Sequence, residues 1–457
     1  MDLRDFISEH LNDDPASLVL QRHRWPDIDA ALAADCITAK RKLRGKVPEW
    51  YADSRLLFPS PLSAEQCSST VTARHKAHLA LGFGGTRIAD LTGGLGVDAW
   101  QFAEAGATVL YNEMNPVLCD AVKHNFGILG LESDAGGHLE SHPGRVFISN
   151  CEISAGNLGG ILDDFHPDLV YLDPARRGPE GRKVFRLEDC SPNLLEIQDI
   201  ILKRGVRLMA KLSPVADISL IGKTLHSLKE LHIVEASGEC KELLALCEPG
   251  FEGEYTVVAE IAGQGDAVAR QPFGCIIRGA APNVPRRCLA PVEMPFVFSF
   301  LPSEEALCSV IPRSPLGDEG TELCELCDCR KQILTSTSLF APGPALMKSG
   351  AFKLIAQRFG LHPLGPSAHL YLVPENTETG AFAPFGKLFE IQEVAPLSKA
   401  SLKRFAALWP DAEITARALP LTTDELRRKM ALRGGGSTHI FAVGTPSGKY
   451  LIACKRP

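Results

Sequence analysis

A glycine-rich segment between a strand-like and a helix-like stretch constrains the fold of this chain more than any other feature. The segment reads Asp-Leu-Thr-Gly-Gly-Leu-Gly-Val-Asp over residues 90–98, after the apolar run 87–91 and before a helical stretch over 99–105. Glycines at such a junction let the backbone approach a ligand closely, and the first N–H groups of the helix are free to donate to it. The segment therefore predicts a ligand-binding loop at the end of a strand.

The surrounding region, residues 86–247, alternates between apolar strand-like runs and helical stretches. This alternation is typical of an α/β domain with a doubly wound, Rossmann-like sheet. The later runs 231–235 and 242–247 read as a strand pair, so we expect the sheet to end in an antiparallel element that a plain dinucleotide-binding domain lacks.

Three acids narrow the ligand that the loop can bind. Glu113 follows the second strand, where its carboxylate can accept hydrogen bonds from ribose hydroxyls. The glycine spacing departs from the G-x-G-x-x-G pattern of dinucleotide-binding enzymes, and Asp98 stands at the start of the helix. An acid there repels a pyrophosphate but tolerates the sulfonium and amino groups of S-adenosylmethionine, and Asp90 can pair with that ammonium.

The glycine-rich segment resembles motif I of class I S-adenosylmethionine-dependent methyltransferases, in the form that has Thr92 in place of the first glycine and is common in RNA and DNA methyltransferases. Glu152, after the third strand, resembles the acid that binds the adenine amino group, and Asn150 is the alternative. The resemblance implies a cofactor site made of Asp90, Thr92, Gly93, Gly94, Gly96, Glu113, Met114 and Glu152.

The run Val170-Tyr-Leu-Asp-Pro-Ala-Arg176 resembles motif IV, the catalytic D/N-P-P-Y/F of enzymes that methylate amino groups of nucleic acids. The resemblance implies catalytic roles for Asp173, Pro174 and Arg176. A carboxylate and a backbone carbonyl at this place accept the N–H groups of an exocyclic amine and orient it for attack. Ala175 and Arg176 depart from the motif, which leaves the methylated atom open, although a guanidinium can stack on a base.

Methylation at C5 of a pyrimidine is disfavoured because it needs a cysteine nucleophile in the motif after the fourth or the fifth strand. Those places, residues 173–176 and 211–214, contain no cysteine. Cys190 lies nearby but in no motif, and we expect it to fill space.

The charge distribution indicates a polyanionic partner, although the whole chain has a net charge of −7. Residues 395–457 contain eleven basic and four acidic residues and carry +7, so residues 1–394 carry −14. Such asymmetry is typical of a polyanion-binding appendage. A second basic segment, residues 176–186, follows motif IV directly. Candidate substrate-binding residues are therefore Arg177, Arg182, Lys183, Arg427, Arg428 and Lys429.

A third basic run, residues 40–46, is compatible with RNA contact and equally with a solvated helix face. Segments 176–186 and 395–457 therefore favour RNA as the partner, but composition leaves open whether it is tRNA or rRNA.

The order of segments resembles a family of bacterial class I methyltransferases with a C-terminal THUMP-like domain. The resemblance implies a helical segment over 1–80, a methyltransferase domain over 81–250, a ferredoxin-like α+β domain over 290–394 and a THUMP-like module over 395–457. THUMP-type modules are associated with RNA. The chain has no hydrophobic signal region near its start and no apolar stretch of membrane-spanning length, so we expect a cytosolic protein with reduced thiols.

The leading hypothesis is an enzyme that methylates a base amino nitrogen in structured RNA. A methyltransferase acting on protein or a small molecule, a non-catalytic RNA-binding protein and an NAD-linked enzyme are the alternatives. Cys324, Cys327 and Cys329 cluster without a fourth ligand nearby, so no metal is expected. The target nucleotide and the oligomeric state stay open.

Overall fold

The computed structural model describes residues 2–131, 144–175, 190–263, 296–307 and 338–456. The described residues form two compact units. The first contains nearly all described residues up to 263, and the second contains those from 296 onward together with two short stretches, 237–240 and 257–259.

The first unit begins with helices and continues as alternating strands and helices. Polar residues determine where several helices start: Asp29 accepts the N–H groups of Ala31 and Leu32, and Ser69 forms a capping box with Thr72. That capping box starts the helix over residues 70–82 just after the helix over residues 61–66 has ended. The helices are α1 (Leu3–Glu9), α2 (Pro15–Leu20), α3 (Ala30–Leu43), α4 (Pro48–Ala52), α5 (Pro61–Gln66), α6 (Thr70–Gly82), α7 (Val97–Glu104), α8 (Pro116–Leu129), α9 (Leu158–Phe165), α10 (Leu194–Leu202) and α11 (Ile218–Thr224).

The strands of this unit form the doubly wound sheet that the alternating pattern predicts. They are β1 (Arg87–Asp90), β2 (Thr108–Asn112), β3 (Val146–Ser149), β4 (Leu169–Leu172), β5 (Arg207–Leu212), β6 (Leu228–Ala236), β7 (Glu239–Cys247) and β8 (Thr256–Ile261). Their order is β3-β2-β1-β4-β5-β7-β6-β8, with β1 to β5 parallel and β7 antiparallel to β5. The strand order reverses between β1 and β4, where open α/β sheets bind ligands at the carboxyl ends of their strands.

The helices before β1 pack into the core of the same unit. Trp50 is buried, with its ring centroid 5.7 Å from that of Phe58 and 5.1 Å from that of Trp100 on α7. The side-chain amide of Asn125 on α8 bonds both the N–H and the carbonyl of Leu57, at 2.9 and 2.8 Å. These contacts hold the α3–α5 region against the sheet.

Several cations of the basic run 40–46 are engaged inside the protein. Lys40 is buried and its Nζ donates to the Asp53 carbonyl at 2.7 Å, while Arg41 Nε donates to the Leu11 carbonyl at 2.7 Å. Lys46 Nζ donates to the carbonyl of Glu65. These contacts favour a structural role for the run over RNA contact.

The second unit contains a seven-stranded sheet, whose strands lie side by side in the order 362–363, 371–373, 338–342, 386–396, 448–455, 438–445 and 413–417. One sheet face packs Phe405 and Leu426 of two helices, and the opposite face buries Phe389, Phe441 and Ile452. The elements are β9 (Phe296–Phe300), α12 (Pro302–Leu307), β10 (Ser338–Pro342), α13 (Pro344–Ser349), α14 (Phe352–Phe359), β11 (His362–Pro363), β12 (Tyr371–Val373), β13 (Gly386–Pro396), α15 (Lys399–Leu408), β14 (Glu413–Arg417), α16 (Thr423–Met430), β15 (Thr438–Thr445) and β16 (Gly448–Lys455). Across the described parts of both units, we find no helix with the length and apolar character to cross a membrane.

Candidate active site

The carboxyl ends of the parallel strands bring the predicted site residues together. Asp90 ends β1, Glu113 follows β2 and Asp173 follows β4. Asn112, the buried last residue of β2, joins the loops around them: its Nδ2 donates to the carbonyls of Leu91 (3.2 Å) and Cys151 (3.0 Å), and its Oδ1 accepts from the N–H of Cys151 (3.1 Å). This role of Asn112 was not predicted from the sequence, where the available signal was a polar residue at the end of an apolar strand.

The three glycines of the loop differ in why the structure needs glycine at their positions. Gly96 has φ +83°, and a Cβ there would lie 2.8 Å from Phe126 Cζ, so both conformation and packing require glycine. A Cβ on Gly93 would lie 2.1 Å from Tyr111 Cε2, so this glycine makes room for a ring of the protein rather than for a ligand. The Tyr111 hydroxyl donates to the Gly94 carbonyl at 2.6 Å, and the space beside Gly94 is open. A ligand can therefore approach the backbone at Gly94.

Glu113 is held across this loop by two backbone groups. Its Oε2 accepts from the N–H of Gly94 at 3.0 Å and its Oε1 from the N–H of Asn115 at 2.8 Å. A carboxylate offers about four acceptor positions, so two remain for ribose hydroxyls. Met114 beside it is 58% exposed and offers an apolar surface to a ring.

The two candidates for the adenine amino group differ in their surroundings. The Asn150 side-chain amide donates to the Glu113 carbonyl at 2.6 Å, which fits a supporting role for Asn150. The Glu152 side chain is exposed, and its backbone carbonyl accepts from Asn157 Nδ2 at 2.7 Å. Glu152 stays a prediction.

Asp90 is a buried carboxyl group with an unsatisfied oxygen. The residue is 1% exposed; its Oδ1 accepts from the N–H of Thr92 at 3.2 Å, and its Oδ2 has no hydrogen-bond partner among the described residues. Burial, and then the nearby Asp98 carboxylate, raise the pKa of Asp90 well above the ordinary aspartate value. An ammonium group would satisfy this oxygen and compensate its charge, so the site fits the amino group of S-adenosylmethionine.

Replacing Asp90 by asparagine should change the pH dependence of stability in the ligand-free protein. Because the pKa of Asp90 is raised on folding, the folded wild type loses stability as pH rises from the ordinary value near 3.8 through the folded pKa. Asparagine does not titrate, so the Asp90→Asn protein lacks this loss of stability. The free energy of unfolding of Asp90→Asn minus that of wild type should therefore increase as pH rises from about 3.8 to the folded pKa of Asp90. Urea unfolding of both proteins at several pH values measures the difference, and a pH-independent difference would contradict the buried, unpaired state of Asp90.

Asp98 lies in a buried ion network instead of facing a ligand. Its Oδ2 accepts from Ser68 Oγ at 3.0 Å and from the Tyr171 hydroxyl at 2.9 Å, and its Oδ1 lies 3.2 Å from Lys76 Nζ. Burial alone raises the pKa of a carboxyl group, but Lys76 and Lys211 outweigh burial and lower the pKa of Asp98. The interpretation of Asp98 as a charge that selects the ligand is therefore wrong, because lysines inside the protein compensate that charge.

Asp173 is joined to the glycine-rich loop and to a buried lysine. Its N–H donates to Thr92 Oγ1 at 2.6 Å, and its Oδ2 accepts from Lys211 Nζ at 2.6 Å. Its side chain is 30% exposed, whereas Pro174 is buried. Thr92, a predicted cofactor residue, thus holds the backbone of the predicted catalytic motif.

Some predicted residues lie outside the residues that the structure describes. They are Arg176, Arg177, Arg182, Lys183, Cys324, Cys327 and Cys329. Within the described ranges, no group of three His, Cys, Asp or Glu side chains has an arrangement that could hold a metal ion.

The three candidate RNA-binding residues of α16 are not equivalent. Arg427 Nη2 donates to Glu413 Oε2 at 2.8 Å, so its charge is used within the second unit. Arg428 and Lys429 are exposed in the last turn of α16. They are the better candidates for contact with a polyanion.

Comparisons with known proteins agree with this architecture. A family model described as a ferredoxin-like domain matches residues 339–378, and one described as THUMP domain-like matches residues 386–456. The crystal structure of a candidate methyltransferase from Porphyromonas gingivalis W83 is 27% identical, covers 99% of this chain and 97% of its own, and has a TM-score of 0.73.

Two curated relatives are also methyltransferases. An uncharacterised S-adenosylmethionine-dependent methyltransferase of Mycobacterium tuberculosis is 23% identical over 427 residues, which cover 91% of this chain and 93% of the relative. The ribosomal RNA small subunit methyltransferase J of Vibrio vulnificus is 30% identical over 96 residues, 21% of this chain and 37% of that enzyme. Together the comparisons confirm the resemblance that the sequence motifs indicated.

Proposed function

We propose that this chain, an S-adenosylmethionine-dependent methyltransferase, methylates a base amino nitrogen in structured RNA. The observation that carries the proposal is the position of Asp173: its carboxylate is partly exposed, and its backbone N–H donates to Thr92 Oγ1 of the cofactor loop at 2.6 Å. S-adenosylmethionine, when bound, supplies the methyl group. Asp90 would pair with its ammonium and Glu113 would accept from its ribose hydroxyls.

The chemistry assigned to Asp173 is that of an oriented acceptor. Its Oδ1 accepts no hydrogen bond from any residue that the structure describes, while Oδ2 is bound to Lys211. Oδ1 can therefore accept an N–H of an exocyclic amine and direct the nitrogen lone pair along the line of attack. The nitrogen must lose a proton when it is methylated, and the same oxygen is available to receive it.

RNA as the substrate is supported by three independent observations. Residues 386–456 match a THUMP-like family model, and residues 395–457 carry a net charge of +7. One relative over part of the chain is named as a ribosomal RNA methyltransferase. Arg428 and Lys429 would contact phosphates, which positions RNA without selecting a sequence. Arg176, Arg177, Arg182 and Lys183 stay predictions for the rim of the pocket, as does a cytosolic location.

Reversing the two exposed charges of α16 should weaken RNA binding and its salt dependence together. Removing one phosphate contact should reduce the slope of log affinity against log salt by up to about 0.9, the value for B-DNA. Fluorescence anisotropy with the full chain carrying Arg428→Glu and Lys429→Glu measures both quantities. Arg22→Glu with Arg24→Glu is the matched control, since these two cations are exposed in a short helical turn of the first unit.

The full chain is needed because the predicted boundary at 394–395 falls inside β13, between β10 and β16. A truncation there would expose the core of the second sheet. RNA affinity unchanged by the α16 substitutions but reduced by the control pair would contradict the assignment of α16 to RNA contact.

The function itself is tested by mass spectrometry of RNA nucleosides from a deletion strain and a complemented strain. The expected result is the loss of one base methylated on its amino nitrogen, restored by wild type but not by Asp173→Ala. Loss of a C5-methylated pyrimidine would contradict the nitrogen assignment. Unchanged RNA with loss of a methylated protein or small molecule would favour the alternative substrates.

A further inference from the structure

A buried lysine pair lies behind the Asp173 carboxylate. Lys211, the residue before the last of β5, is 9% exposed, and its Nζ lies 2.6 Å from Asp173 Oδ2 and 4.0 Å from Glu242 Oε2. Lys76 on α6 is 0% exposed, and its Nζ contacts the two carboxylate oxygens of Glu242 at 2.9 and 3.0 Å. Lys76 also binds Ser68 Oγ at 2.9 Å. Lys76 thus holds the Glu242 carboxylate, which adds a second negative charge 4.0 Å from Lys211 Nζ.

The network keeps Lys211 a cation. Burial by itself lowers the pKa of a lysine, but the carboxylates of Asp173, Glu242 and Asp98 outweigh it and raise the pKa of Lys211 above its ordinary value. A charged lysine has three donors and no acceptor. Lys211 can therefore donate to Asp173, but it does not take up the proton that a methylated amine releases.

We infer that Lys211 is a positioning residue, which binds Oδ2 of Asp173 and thereby directs Oδ1, which accepts from no described residue, toward the substrate amine. This inference rests on the proposed function. A lysine at this position also explains why residue 173 is an aspartate, and not an asparagine, in this chain. Because a charged lysine only donates hydrogen bonds, Lys211 requires an acceptor oxygen of residue 173 opposite it. The other terminal atom of that side chain then faces the pocket.

The consequence of the substitution Asp173→Asn is specific. With Lys211 present, the amide oxygen of the introduced side chain must face Lys211, and its NH₂ group then meets the N–H of the substrate, donor against donor. Without Lys211, the amide can turn and present its oxygen to the amine. A purely structural role for Lys211 predicts no such dependence between the two positions.

A double-mutant cycle on the full chain tests this dependence. Methyl transfer to RNA is measured in single turnovers for wild type, Asp173→Asn, Lys211→Met and the double variant. We expect Asp173→Asn to slow wild type by about a hundredfold or more, and to slow the Lys211→Met protein by less than about tenfold. Equal factors in the two backgrounds would overturn the positioning role.

A second background guards against misfolding, because Lys211→Met leaves buried carboxylates without a cation. Lys211→Met combined with Glu242→Gln removes one charge of each sign, and the effect of Asp173→Asn is measured there as well. Thermal unfolding and the affinity for S-adenosylmethionine establish that each variant is folded. In this background too, Asp173→Asn should slow methyl transfer by less than about tenfold. A slowing as large as the one in wild type overturns the inference.

The two proposals fail in different ways. Wild type that methylates an RNA amino nitrogen but shows an additive cycle refutes only the role of Lys211. Wild type that binds S-adenosylmethionine and transfers no methyl group to RNA refutes the proposed function, and this inference with it.

Discussion

Asp173→Ala is expected to slow methyl transfer to RNA by about 10²–10⁴-fold, the range typical of losing a positioned acid or base. The affinity for S-adenosylmethionine should change little, because the Asp173 carboxylate contacts Lys211 and its backbone N–H, which alanine keeps, contacts Thr92. Single-turnover transfer of a labelled methyl group measures the rate, and calorimetry measures the affinity. A large loss of affinity for S-adenosylmethionine would indicate that Asp173 binds the cofactor and not the substrate amine.

Three control variants separate this chemistry from other causes of a slow rate. Asp164→Ala removes an exposed aspartate near the end of α9, just before the start of β4, whereas Asp173 follows the end of β4. This substitution should leave the rate of methyl transfer unchanged. Cys151→Ala and Cys190→Ala should also remain active. A cysteine variant that is folded but inactive, together with a covalent complex between wild type and RNA, would contradict nitrogen methylation. It would indicate instead that the cysteine attacks a carbon of the base.

The positions of the strands and of the acids that follow them could be predicted from local sequence. Mostly apolar runs of four to six residues form β1 to β5. Asp90 at the end of β1, and Glu113 and Asp173 just after β2 and β4, lie in places that the parallel topology brings together. Periodicity and glycine spacing are properties of short segments, so they were sufficient for this part of the site.

The partners of those acids could not be predicted, because they come from distant parts of the chain. Lys211 lies 38 residues from Asp173, and Lys76 lies 166 residues from Glu242. Sequence patterns indicate which face of an element is buried, but a fully buried lysine violates the usual pattern and is stable only with carboxylates around it. The packing reason for Gly93 likewise depends on Tyr111 from the next strand.

Which charged side chains of the module are paired within the protein could also not be predicted from the sequence. Arg427, Arg428 and Lys429 are consecutive, yet only Arg427 points its guanidinium at Glu413 of β14. A count of charges gives only the net charge of the module. It could not separate cations that bind the protein from cations that are available to RNA.

Glu113→Ala is expected to weaken S-adenosylmethionine binding by about 1.5–3 kcal/mol, which is a loss of roughly 10- to 150-fold. Two effects act in the same direction: the ribose hydroxyls lose a charged acceptor, and the N–H groups of Gly94 and Asn115 lose the carboxylate that holds the loop. Calorimetric titration measures the loss. NAD binding in place of S-adenosylmethionine by wild type would refute the cofactor assignment at its root.

A ligand fragment distinguishes the role of Glu113 from that of Asp90. Methylthioadenosine keeps the ribose of S-adenosylmethionine but lacks its ammonium and carboxylate. If Glu113 binds the ribose, Glu113→Ala weakens both ligands by similar factors. If the unsatisfied oxygen of Asp90 pairs with the ammonium, Asp90→Asn weakens S-adenosylmethionine and leaves methylthioadenosine nearly unaffected. The reverse pattern would exchange the two assignments, and equal effects of both substitutions on both ligands would mean that each acts by holding the loop instead of by contacting the cofactor.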